Sequence, residues 1–228
     1  MKLKILLFAA LCFLSATVIA QTKDSLKTEL PQISLSPVPV EVFAGNNGVS
    51  FQLIVSKYFK PDSRLGFFNV TQFTGKYDTA DQAKNELMSL ALISFDIWKG
   101  FSLNTGAFID NYGGFSPTAG IQYLFANKDF LIIALPRFDL ARNYNFEAFG
   151  LAEYRPMFTK NWGFYIRGQA MYNRNIKQDF LERSYVNLRT GVTYQNFQFG
   201  LGYNYDVYGG TFNSNQHSFG VFLRAELF

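Results

Sequence analysis

The chain has 228 residues, a formal net charge of +4 and 18% aromatic residues, among them 26 Phe and 13 Tyr. Leaving out Lys2 and Lys4 brings the charge to +2 without a remaining Lys/Arg cluster, so charge gives no case for a nucleic-acid partner. The single cysteine, Cys12, lies in an apolar leader; with one histidine and singly scattered acids, neither a disulfide framework nor a metal or other cofactor site is expected.

The leader comes first. Lys2 and Lys4 form a positive start, residues 5–13 an apolar core, and Val18-Ile19-Ala20 a small-residue cleavage site before Gln21. This is the pattern of a secretory signal peptide over residues 1–20. A lipoprotein signal would place a small residue before Cys12, where Leu11 stands. Residues 21–37 are polar with scattered Ser and Pro and read as a flexible lead.

From residue 38 the chain reads as strands. Asn46-Asn47-Gly48 is a tight-turn signal, since Asn and Gly tolerate positive φ, and it joins residues 38–45 to 49–59 as a hairpin. Tight connections follow at 60–64, 98–101, 126–129, 156–161 and 194–197. Longer polar or Gly-rich ones fall at 77–85, 111–116, 139–143, 174–182 and 207–216. Short and long alternate, and the segments between them run about 9–13 residues, enough for a tilted strand to cross a bilayer. The reading is all-β: an antiparallel transmembrane β-barrel of about twelve strands over residues 38–228, with short periplasmic turns and longer outer loops.

Alternation assigns the faces. In the last segment Phe219, Val221, Leu223, Ala225 and Leu227, with the terminal Phe228, form an apolar membrane-insertion strand. Ser218, Gly220, Phe222, Arg224 and Glu226 take the other face. The same parity collects a lumen charge network of Glu41, Asp96, Arg137, Glu147, Glu153, Arg155, Arg167, Arg189, Asp206, Arg224 and Glu226. Arg is suited to bidentate pairing with carboxylates in a confined space, so the network is expected to fill the lumen or to line a selective pore. Residues 65–77 are ambiguous by parity. Tyr58, Phe59, Trp98, Phe101, Phe158 and Trp162 lie at the short turns and Tyr77, Tyr112, Tyr144, Tyr172, Tyr185 and Tyr208 at the other ends, as two interfacial girdles would.

Catalytic signals are thin. His217 and Ser218 point to opposite faces of an extended strand and form no dyad, although a Ser from a neighbouring strand could reach His217. Asp139 and Asp206 lie at strand rims, where a barrel protease would carry Asp and His. Gly200, Gly202, Gly209 and Gly210 precede no helix and are not phosphate-binding glycines. Asp78-Thr79-Ala80 resembles the Asp-Ser/Thr-small O-glycosylation signal of Bacteroidota.

Gln21 after the cleavage site, the Phe terminus and the aromatic strands resemble uncharacterised outer-membrane barrels of Bacteroidota. The resemblance implies export to the outer membrane of a Gram-negative bacterium, with lipid and the barrel-assembly machinery as partners. It supplies no catalytic or ligand residue. The expected function is a non-enzymatic structural or binding barrel, or a narrow porin-like passage for a small solute. The alternatives are a barrel hydrolase acting on lipid or peptide through rim residues, and a soluble exported lipocalin-like barrel with an apolar interior.

Overall fold

The computed structural model describes residues 37–78, 85–111, 113–141, 144–210 and 214–227. The expected signal peptide and almost all of the lead lie outside the described residues, as do Thr79 and Ala80 of the glycosylation signal, Tyr112 and the terminal Phe228.

Among the described residues the regular elements are twelve strands: β1 (Val38–Gly45), β2 (Gly48–Tyr58), β3 (Leu65–Lys76), β4 (Glu86–Trp98), β5 (Phe101–Asp110), β6 (Gly114–Ala126), β7 (Phe130–Asp139), β8 (Asn145–Tyr154), β9 (Trp162–Asn175), β10 (Phe180–Tyr194), β11 (Phe197–Tyr208) and β12 (Ser214–Leu227). Each pairs antiparallel with its chain neighbours, and β12 returns to β1 from Val38↔Leu227 to Gly45↔Gly220, closing the barrel. Closure satisfies the backbone of both edge strands, so no sheet edge is left open. The ladder between β6 and β7 is interrupted at Ile121 and Gln122, where Pro136 has no N–H to donate.

The turns use more than one device. Lys99 and Gly100 both take positive φ, 42° and 87°, in the two-residue link of β4 to β5. Asn46 and Asn47 join β1 to β2 without positive φ, contrary to the reason given above. They bind β12 instead: Asn46 Oδ1 accepts from the Phe219 amide at 3.0 Å, and Asn47 Nδ2 donates to the His217 carbonyl at 2.6 Å. The two barrel ends differ less in loop length than expected. Residues 111–113 alone join β5 to β6, because Gly114 turns the chain straight back at φ 72°.

Side chains alternate between two environments. Leu103, Ile121, Phe164, Leu188, Leu201 and Phe219 stand exposed on the outer wall. The interior is divided. Ile54, Phe68, Val70, Leu90, Leu92 and Phe108 from β2–β5 pack with Ile133, Leu135, Phe149 and Leu151 from β7–β8 as one apolar core. That settles β3: Phe68 and Val70 point in, while Asn69 and Thr71 are only partly buried and bond Ser89 on the outer wall. The other interior half, along β8–β12 and β1 with the end of β7, holds the buried charges. Walls that face each other are in contact: Arg183 of β10 reaches Glu86 of β4 at 2.8 Å, six strands away around the ring. Opposite walls of the barrel thus meet through their side chains, in this ion pair and in the apolar core between β2–β5 and β7–β8.

Candidate functional site

The charged half of the lumen is built from strand register. Glu153, Arg167, Arg189 and Gly202 stand opposite one another on β8, β9, β10 and β11. Two arginines directly across a strand pair repel. Glu41 of β1 resolves this by accepting from Arg167 Nη2 at 2.7 Å and Arg189 Nε at 2.9 Å. Gly202 is small for a further reason: a Cβ there would meet the Phe43 ring at 2.7 Å and Arg189 Cδ at 3.1 Å. The Arg189 guanidinium thus lies 4.3 Å from the Phe43 ring centroid, and its Nη1 also reaches Asn204 Oδ1 at 2.7 Å.

A second cluster runs toward the end where the barrel begins and finishes. Arg224 of β12 pairs with Glu153 of β8 at 3.3 Å and Glu226 at 3.2 Å, and donates to Gln198 at 2.8 Å. Tyr165 donates to Glu153 at 3.2 Å and lies against Phe222. Glu226 also pairs with Arg155, one residue beyond β8. A third cluster joins the halves: Arg137 is wholly buried, pairs with Glu147 at 2.7 Å and with Asp139, and lies over Phe108.

At the loop end, Arg183 binds Glu86 at 2.8 Å and Asp206 at 2.7 Å, and Tyr208 donates to Glu86 at 2.6 Å. Lys76 donates to Gln216 at 2.5 Å. These groups, with Gln72, Asn204 and Ser218, line a polar pocket at the mouth.

Of the charges collected by parity, Glu41, Arg137, Glu147, Glu153, Arg167, Arg189 and Arg224 are buried in the interior. Asp206 lies at the mouth, and Arg155 and Glu226 at the opposite end. Asp96 stands apart: it is half-buried and accepts from Tyr58 at 2.5 Å near that same end. Parity missed Arg183 and Glu86. Arg183 follows a register shift at residues 181–183, and Glu86 opens its strand, so both fell against expected loops. The girdle assignment also needs correction. Tyr185 is buried in the lumen and accepts from Gln169 at 3.0 Å, while Tyr208 donates to Glu86 at the mouth. Tyr185 shares parity with Asn187 and Arg189, which position near a strand end had outweighed.

In the closing strand, Phe219, Val221, Leu223 and Leu227 stand exposed on the outer wall, with the half-buried Ala225 between them. His217 shares that wall: its Nδ1 lies 2.7 Å from Tyr203 Oη, and Tyr205 flanks the ring. Asp139 and Asp206 each face an arginine rather than His217. Among the described residues no three His, Cys, Asp or Glu side chains gather as metal ligands.

These observations define a closed antiparallel twelve-strand β-barrel with an apolar outer wall and a filled, partly ion-paired interior. No family model and no curated protein matches the sequence. Solved structures similar in fold include the NanC porin (TM-score 0.47, 12% identity, 84% of this chain and 99% of that one). The KdgM porin gives 0.45, 12%, 84% and 99%. LpxR from Salmonella typhimurium gives 0.41, 8%, 85% and 100%.

Proposed function

We propose that the protein is a non-enzymatic integral barrel of a Gram-negative outer membrane, exported by a cleaved signal peptide and inserted through its apolar outer wall. The lumen is closed at rest. The protein serves as a structural or binding barrel, or as a narrow passage for a small solute once the ion pairs yield. The observation that carries this reading is the set of contacts across the lumen: Glu41 to Arg167, Arg224 to Glu153, and Arg183 to Glu86. The outer wall supports the membrane assignment, since lipid-facing strands need such a band. The closing strand, Phe219 to Leu227 with Phe228, is the segment the barrel-assembly machinery would read.

The test is conductance of the purified protein in planar bilayers. Weak or absent currents are expected, with a leak in the Arg167→Ala/Arg189→Ala variant. Large, stable currents from the unmodified protein would refute the closed lumen and favour an open solute channel. The polar mouth pocket favours a binding role, because its charged side chains face the entrance even while the lumen beneath is filled. Hydrolysis of phospholipid or peptide that is lost in His217→Ala would instead support a barrel enzyme. Recovery in the soluble rather than the detergent-extracted fraction would support a lipocalin-like protein.

A further inference from the structure

The outer wall over β8–β11 is indented by an apolar groove of about 380 Å³. Ala148 and Gly150 of β8 and Ala170 of β9 form its floor, and Tyr172, Val186 and Tyr205 stand around it. Register lines these up: Gly150 faces Ala170, Ala170 faces Val186, and Val186 faces Tyr205. Gly150 is the telling position. A Cβ there would meet nothing within 4 Å, and its φ is not left-handed, so neither packing nor backbone calls for glycine. A glycine inside a strand costs stability and marks close approach of another group. Here its missing side chain keeps the groove open.

One row nearer the loops, Phe146 stands opposite Arg174. The Arg174 guanidinium donates to Tyr172 Oη at 3.4 Å, pairs with Asp179 at 2.6 Å and is 43% exposed. Lys177, in the turn that follows, makes no ion pair among the described residues. Arg174, bonded to the groove's Tyr172, and Lys177 in the adjoining turn thus bring two positive charges against the one carboxylate of Asp179. Water has little to bind in the groove: apart from Ser184 and the tyrosine hydroxyls the side chains lining it are apolar.

We infer that the groove seats one acyl chain of a phosphate-bearing membrane lipid, with the phosphate against Arg174 and Lys177. This rests on the membrane reading above. A flexible hydrocarbon chain fits a narrow concavity on a wall that faces hydrocarbon, and the cations select an anionic headgroup.

The test uses the full protein in non-ionic detergent, with bound lipid counted by native mass spectrometry. The probes are dimyristoyl phosphatidylglycerol and dimyristoylglycerol, which share chains and differ in phosphate. The wild type should retain one phosphatidylglycerol per barrel and prefer it to diacylglycerol. Gly150→Leu/Ala170→Leu, which fills the groove, should lose at least tenfold in retention. Thr190→Leu, an apolar gain on the exposed outer face of β10 away from the groove, should not. Arg174→Gln/Lys177→Gln should lose the headgroup preference by about tenfold or more. Heat-modifiable gel mobility checks that each variant is folded. Equal retention by wild type and the groove-filled variant would overturn the inference. So would a dimer that the groove-filled variant dissolves, since a second copy would then be the occupant. A protein that never enters membranes would sink the membrane reading itself; one that inserts yet holds no lipid sinks the groove alone.

Discussion

Removing Glu41 should be among the most damaging single changes inside the barrel. Its carboxylate is the shared partner of Arg167 and Arg189, and all three are buried. Arg189 would keep Asn204 at 2.7 Å and the Leu188 carbonyl at 2.9 Å. Arg167 is worse placed, since its Nε has no partner even in the intact protein. Truncating one member of a buried ion pair costs about 3–5 kcal/mol, because the remaining charge is left uncompensated. Glu41→Ala should therefore lose that amount. Glu41→Met/Arg167→Met should recover most of it, since replacing a buried pair by apolar groups of similar volume is often neutral or stabilising. Urea unfolding of the protein from lipid vesicles, followed by Trp98 and Trp162 fluorescence, measures both. If Glu41→Ala loses less than about 1 kcal/mol, the range of exposed pairs, water screens these charges and the filled lumen is wrong.

Leu223→Arg should impair insertion by about 2–4 kcal/mol, because Leu223 stands 54% exposed on the outer wall within β12; vesicle insertion yield measures it. A purely polar lumen would make Phe222→Arg mild, but Phe222 is 3% exposed and packs on Tyr165 beside Arg189 and Arg224. That variant should lose about 3–5 kcal/mol in folded stability, and a loss under 1 kcal/mol would show loose packing there. A cysteine at Gln178 should react with an impermeant label on intact cells, and cysteines at Ser63 or Asn127 should not; the reverse pattern would invert the orientation.

Strand existence was legible because side chains with period two are separated by turn residues, and the twelve strands follow those signals. Which face is the inner one was legible wherever charge marked it, as with Arg167 and Arg189. It was not legible in β3, where Phe68 and Val70 point in beside Phe67 and Phe73 that point out: both faces are aromatic, so alternation carries no sign. The apolar half of the interior was hidden for the same reason. Leu90, Leu92, Ile133 and Leu135 pack together inside the barrel, and their apolar side chains do not by themselves mark them as inner. Partners were also out of reach. Parity puts Glu41 inside but cannot choose Arg167, 126 positions away, over Arg224, which faces Glu41 directly in register.

That choice of partner bears on how the barrel closes. β1 is the shortest strand, eight residues, and carries Pro39. Its pairing with β12 is the one seam that joins the two ends of the sheet. A slip of one residue would drive Glu41 onto the apolar outer wall, a strong penalty that fixes parity. A slip of two keeps parity, and there the ion pairs matter: moving β1 by two residues along β12 carries Glu41 about 7 Å from its arginines. The fixed register is thus encoded by Glu41 together with the Asn46 and Asn47 bonds to β12. Cysteine pairs read it out. Val40 faces Ala225 in the observed register and would face Leu223 or Leu227 after a two-residue slip. In an otherwise wild-type background, only Val40→Cys/Ala225→Cys should cross-link efficiently on oxidation. With Glu41→Val added, Val40→Cys/Leu223→Cys or Val40→Cys/Leu227→Cys should cross-link as well. If the Glu41→Val background still yields the native pair alone, the asparagine turn suffices to set the seam and the buried charge has no part in closure.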